Sequence, residues 1–158
     1  GHIDGDYYTH YPNMLAWEWI SLGLIPGLER ITRLKREVKW EDSRFDLYGE
    51  GKGEKCFIEV KNVTLKEGDR AFFPDAVTVR GRKHLQTLAR AKRSGFRSVM
   101  LYVVQRTDVK TFSPAREIDP EYGKALDHAF RQGVEIIAVQ ARVTPEGIYF
   151  HGVLPVIL

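Results

Sequence analysis

Residues 99–104 read VMLYVV, an unbroken apolar run between Ser98 and Gln105. Alternate residues of a strand face opposite sides of its sheet, so such a run belongs to a strand with both faces covered. The chain must therefore supply helices for two layers, and its punctuation marks where they fall. Pro12-Asn13 opens a helical segment to about Leu24 that is stopped by Gly23 and Pro26-Gly27. It carries Met14, Leu15, Trp17, Trp19, Ile20 and Leu22, apolar nearly all round, which predicts burial. Pro74, with Asp75 or Thr78 as N-cap, begins a helix that ends at Gly95 and turns Leu85, Leu88 and Ala89 inward. Asp119-Pro120 supplies the cap and first residue of another, ending at Gly133.

Strand-like segments fill the intervals: about Leu28–Trp40, Ser43–Tyr48, Lys55–Val63, Ser98–Gln105, Val134–Val143 and Ile148–Val153, the last two joined by Thr144-Pro145-Glu146-Gly147. The order α-β-β-β-α-β-α-β-β predicts an α/β fold with a mixed sheet flanked by helices. At 158 residues the chain suits one domain, taken as residues 13–158. Residues 1–12 are read as an N-terminal remnant and linker, with Gly1-His2 resembling what a protease leaves after removing a tag.

No apolar stretch is long enough to span a bilayer, which argues against a membrane protein. The lone Cys56 cannot form an internal disulfide and no secretory signal pattern is visible, so a reducing cytoplasm is expected. Net charge is only +3, but its distribution is uneven. From Ala76 to Thr107 there is no acidic residue, while Arg80, Arg82, Lys83, Arg90, Lys92, Arg93, Arg97 and Arg106 all fall there. Segregated basic charge is the footprint of a polyanion partner. A solvated helix face whose acidic partners come from elsewhere in the fold accounts for it equally well.

The chemistry concentrates in two strands joined by Gly49-Glu50-Gly51-Lys52-Gly53-Glu54. Alternation puts Glu59 and Lys61 on one face and Ile58 and Val60 on the other; it likewise separates Arg44, Asp46 and Tyr48 from Phe45 and Leu47. A hairpin symmetric about the Lys52-Gly53 bond sets Asp46 across from Glu59 and Arg44 across from Lys61, with the carboxylate-bearing Cβ atoms roughly 5 Å apart. Carboxylates that close repel unless a cation sits between them, which points to Mg²⁺ or Mn²⁺ and phosphodiester hydrolysis, with Lys61 orienting water or stabilising developing charge. No Cys/His spacing suggests zinc. A cross-strand charge cluster on a solvated face remains the bland reading. Glu18, a carboxylate between Trp17 and Trp19, is a candidate third metal ligand; a helix residue facing solvent or an arginine is the alternative.

Asp46, Glu59 and Lys61 after a helix and a strand resemble the PD-(D/E)XK nuclease pattern. More widely, SRFD at 43–46, EVKNVTL at 59–65, FPDAVTVRGRKHL at 73–85 and VVQRTD at 103–108 resemble the sugar fermentation stimulation protein A family. The resemblance implies a restriction-endonuclease-like core, DNA binding of low sequence specificity and a link to the regulation of sugar metabolism. It makes Asp46, Glu59 and Lys61 the catalytic set. Arg80, His84, Gln105 and Arg106 become signature residues able to contact a phosphate, structural roles being as open for these four. Arg44 and the helical Arg82, Lys83 and Arg90 complete the nucleic-acid-binding candidates. Family members carry an OB-like barrel before the first helix, whereas here only residues 1–12 precede it, so that module is expected to be absent; Tyr7, Tyr8 and Tyr11 could pack on the site that module would cover, on a partner subunit, or on nothing. The leading expectation is a metal-dependent nuclease. The competitor is a catalytically silent DNA-binding regulator that retains the fold, and a small phosphorylated ligand lacks the glycine-rich loop it would need. Oligomeric state is left open, a homodimer included.

Overall fold

A computed structural model describes the backbone from Gly5 to Leu158 and the side chains from Pro12 onward. The expected remnant at Gly1-His2 and the side chains of Tyr7, Tyr8 and Tyr11 lie outside the described residues. The elements are α1 (Gly5–Ser21), β1 (Thr32–Trp40), β2 (Ser43–Gly51), β3 (Glu54–Val63), β4 (Leu65–Glu67), β5 (Arg70–Phe73), α2 (Val79–Arg93), β6 (Arg97–Val104), β7 (Thr111–Pro114), α3 (Pro120–Arg131), β8 (Glu135–Thr144) and β9 (Gly147–Leu154). Six strands form a mixed sheet in the order β1-β2-β3-β6-β8-β9. Its centre, β3-β6-β8, is parallel, and antiparallel pairs close both edges. Parallel neighbours need long crossovers, and α2 and α3 provide them.

The VMLYVV run occupies the middle of this sheet and is buried throughout. Met100, Tyr102 and Val104 point into one core with Leu85, Leu88, Tyr122 and Leu126 of α2 and α3. Val99, Leu101 and Val103 point into the other with Leu15, Trp19 and Ile20 of α1. Each fully buried Leu or Ile contributes about 2 kcal/mol, and both layers are needed to bury β6. None of the described helices is long and apolar enough to cross a membrane.

Two features depart from the sequence reading. A second, three-stranded sheet, β4-β5-β7, lies where loops were expected; strands of three or four residues are too short to declare a two-residue period. The first helix begins at Gly5 rather than at Pro12, which stands inside it. Proline is favoured at a helix start, but the apolar face of the following turns has enough burial to carry the helix through it. Elsewhere the caps fall on residues named from sequence. Thr78 Oγ1 accepts from Gly81 N at 2.9 Å and opens α2. Asp119 caps α3 through Tyr122 N at 3.0 Å. Its other oxygen accepts Thr78 N at 2.9 Å, so one buried carboxylate holds the starts of both helices together. That tie fixes the first turns of α2, which carry Arg80 and His84, over β3.

Candidate active site

The β2–β3 ladder runs in register from Gly51↔Glu54 to Leu47↔Ile58, symmetric about the Lys52-Gly53 bond as the loop composition predicts. Beyond Leu47 the regular pairing stops. In its place Asp46 N donates to Glu59 Oε1 at 3.1 Å, and Val60 N donates to Asp46 Oδ2 at 2.8 Å. Each carboxylate thus takes a backbone N–H from the opposite strand, and the two acids interlock. The same position breaks the alternation expected for β2. Phe45 packs in the α2/α3 core and Leu47 in the α1 core, so the two are not on one face.

Glu59 is 1% exposed. Burial first, and then the neighbouring Asp46 charge, pushes its carboxyl well above the usual carboxylate range. Lys61, next on the same face, donates from Nζ to His84 Nδ1 at 2.8 Å. Burial lowers the lysine ammonium, with Glu59 and Asp46 opposing that shift. His84 is driven down to about 4 by burial and by the Lys61 and Arg80 cations, so its ring is neutral. A neutral imidazole that accepts at Nδ1 carries its proton on Nε2. Arg80 Nε, 3.5 Å from Nε2, is therefore in contact rather than hydrogen-bonded. Nor is the 3.3 Å approach of Glu59 Oε2 to His84 Nδ1 an ion pair with a neutral ring. It leaves Oε2 open to a further ligand.

These groups line a cavity of about 400 Å³ whose walls include Asn13, Glu37, Arg44, Arg80 and His84 around Asp46, Glu59 and Lys61. A second cavity of about 640 Å³, formed by Asn13, Lys35, Arg36, Glu37 and Asp46, adjoins it. A third, about 580 Å³ over the small sheet, holds none of the interlocked acids, and the chemistry is placed at the first.

The structure gathers some sequence-named residues here and not others. Arg44 and Arg80 border the cavity. Arg82 is half-buried and Lys83 exposed, both on α2 beyond its rim. Arg90 is paired with Glu41 at 3.5 Å and Asp42 at 3.3 Å. Arg106 is held by Asp108 through two bonds of 2.7 and 2.8 Å and by Thr64 O, while Gln105 donates to Asn62 Oδ1 at 2.7 Å. Glu18 is exposed, which removes the reason for reading it as a buried acid in need of a cation. At about 100° per residue it points some 140° away from Asn13, the α1 residue that does reach the cavity. Asn13 and Glu37 were missed: Asn13 was read as part of a helix start, and Glu37 lay unremarked in the strand-like segment Leu28–Trp40.

A divalent cation fits the donor set. Asp46 and Glu59 each have one oxygen oriented by a backbone N–H and the other available, all-oxygen donors suit Mg²⁺ or Mn²⁺, and a cation would relieve the repulsion that raises Glu59. Among the described residues no three His, Cys, Asp or Glu side chains already converge on one point.

Residues 10–147 match the family model described as the sugar fermentation stimulation protein RE domain, SfsA. The chain belongs to the SfsA family. It is 50% identical over 151 residues to a sugar fermentation stimulation protein homolog of Pelobacter propionicus and 50% identical over 152 residues to one of Geobacter metallireducens. In both cases the match covers 95% of this chain and 66% of the relative, so the chain spans just under two thirds of their length. Among solved structures, "The structure of Pyrococcus Furiosus SfsA in complex with Ca2+" superposes with a TM-score of 0.89 at 31% identity, over 95% of this chain and 65% of that one. The mixed sheet flanked by helices is thus an SfsA architecture. Within this SfsA chain the motifs SRFD and EVKNVTL place Asp46, Glu59 and Lys61 at one site, while VVQRTD builds ion pairs at the far end of β6.

Proposed function

We propose that this SfsA chain carries a metal-dependent phosphodiesterase site of the PD-(D/E)XK type, acting on DNA with little sequence preference. The observation that carries it is the interlock of Asp46 and Glu59 beside Lys61: a buried Glu59 and a half-buried Asp46 with one free oxygen each, and a cation two residues along the strand. A structure titled as SfsA in complex with Ca²⁺ supports it, since Ca²⁺, Mg²⁺ and Mn²⁺ share a preference for oxygen donors.

Bound there, Mg²⁺ or Mn²⁺ would polarise a phosphoryl oxygen and acidify a water. The protein's own groups do the rest. The backbone donors of Asp46 and Val60 fix the carboxylate planes. Lys61, its ammonium steered by His84, offers its remaining N–H groups to an attacking water or to charge growing on the phosphate. Arg44 and Arg80 on the rim supply positive charge for flanking phosphates. The family name links such a protein to sugar metabolism.

The test is incubation with plasmid and single-stranded DNA in Mg²⁺ or Mn²⁺, against Asp46→Ala. Cleavage by the wild-type chain that the variant lacks is expected. Equal products from both would sink the proposal, and salt-sensitive binding without cleavage in any metal would replace it with a silent DNA-binding regulator.

A further inference from the structure

Asp46 has an acidic neighbour on its other flank. In the β1–β2 pairing Arg36 faces Leu47 and Val38 faces Phe45, which puts Glu37 across from Asp46. The paired strands change faces at this position: Val38 and Phe45 pack in the α2/α3 core, Leu34 and Leu47 in the α1 core. Glu37 makes the change with φ +53°, a left-handed conformation that costs a residue with a side chain roughly 1 kcal/mol and that glycine or asparagine adopts more readily. Glutamate holds the position nonetheless, and strained residues of this kind concentrate at functional sites.

Its surroundings indicate a purpose. Glu37 borders both cavities that meet at Asp46. Among the described residues its carboxylate takes part in no hydrogen bond or ion pair, although Lys35 and Arg36 precede it. Asp46 Oδ2 and Glu59 Oε1 are committed to backbone N–H groups. A hard divalent cation takes about six or more oxygens, so two free carboxylate oxygens leave most of its shell unfilled.

We propose that Glu37 is a third acidic ligand of the cation held by Asp46 and Glu59, reaching it directly or through a bound water. The proposal rests on the metal-dependent reading of this site. The three acids do not yet converge, so the assignment requires the exposed Glu37 side chain to rotate about its own bonds toward Asp46. Asp46 would then bind the cation between acids from both neighbouring strands.

Calorimetric titration with Mn²⁺ tests this on the wild-type chain, Glu37→Gln, Glu37→Gly and Asp46→Asn, each with its metal-free melting temperature as a check on folding. Asp46→Asn should abolish binding. Glu37→Gln should weaken it on the order of tenfold or more with melting unchanged, and Glu37→Gly should weaken it while raising the metal-free melting temperature. If both Glu37 variants bind Mn²⁺ as the wild type does while Asp46→Asn does not, the third-ligand assignment fails and the site reading stands. If the wild-type chain binds no Mn²⁺, both fall.

Discussion

Lys61 Nζ donates to His84 Nδ1 at 2.8 Å, which joins the lysine of β3 to a histidine of α2 that is a neighbour only in the fold. The histidine acts through the lysine: it fixes where the ammonium points. His84→Leu should lower kcat on the order of 100-fold with KM nearly unchanged, since a misplaced catalytic group costs rate more than binding. His84→Gln, which keeps an acceptor, should recover part of that loss. Steady-state cleavage kinetics check both, and equal defects in the two variants would reduce His84 to packing.

Asp46 and Glu59 are a repelling pair held together by their backbone donors, so without metal they should cost stability. Asp46→Asn keeps an acceptor for Val60 N and removes one charge. Its melting temperature in EDTA should rise by about 3 °C, the scale of roughly 1 kcal/mol in a chain of this size. Added Mn²⁺ should stabilise the wild type and leave the variant unmoved. A lower melting temperature for Asp46→Asn in EDTA would show that the pair is not strained.

The β2–β3 register was legible because three glycines in a short loop leave few symmetric hairpins, and the ladder from Gly51 to Leu47 follows it. What lay beyond Leu47 was not legible. Strict alternation puts Phe45 and Leu47 on one face, whereas they pack in different cores where the paired strands change faces beside the left-handed Glu37, and no residue type there announces a positive φ. Long-range pairing hid the rest. Whether Arg90 and Arg106 were free for a phosphate stayed open because most of their partners, Glu41, Asp42 and Thr64, are distant in sequence, and Asp108 beside Arg106 does not by proximity alone declare a pair.

That pairing divides the basic segment. Charge reversal at Arg44 and Arg80, which border the cavity, should weaken DNA binding and flatten its salt dependence, by about one unit of slope for each phosphate no longer neutralised. Reversal at Arg106, already bound by Asp108 and Thr64 O, should leave the slope nearly unchanged while disturbing the loop after β6. Binding measured from about 50 to 200 mM salt separates the two classes. Matching slopes in all variants would place the phosphate-binding surface elsewhere.

His84 also sets a pH dependence whose sign can be worked out. Its ordinary value of 6.5 falls to about 4 in the fold, so between those values the unfolded chain binds a proton that the native ring refuses. Stability from this group is therefore complete above about 6.5 and is lost as the pH drops toward 4. Glu59, held above its ordinary 4.5, works the other way: its burial is easiest while protonated, and its contribution declines as the pH rises above that value. The two are separated by comparison with His84→Gln. In EDTA, between pH 7 and pH 5, the wild-type melting temperature should fall more than that of His84→Gln, because only the wild type has the imidazole to protonate on unfolding. Parallel melting curves across that window would mean that His84 titrates normally and that burial beside Lys61 and Arg80 does not hold it neutral.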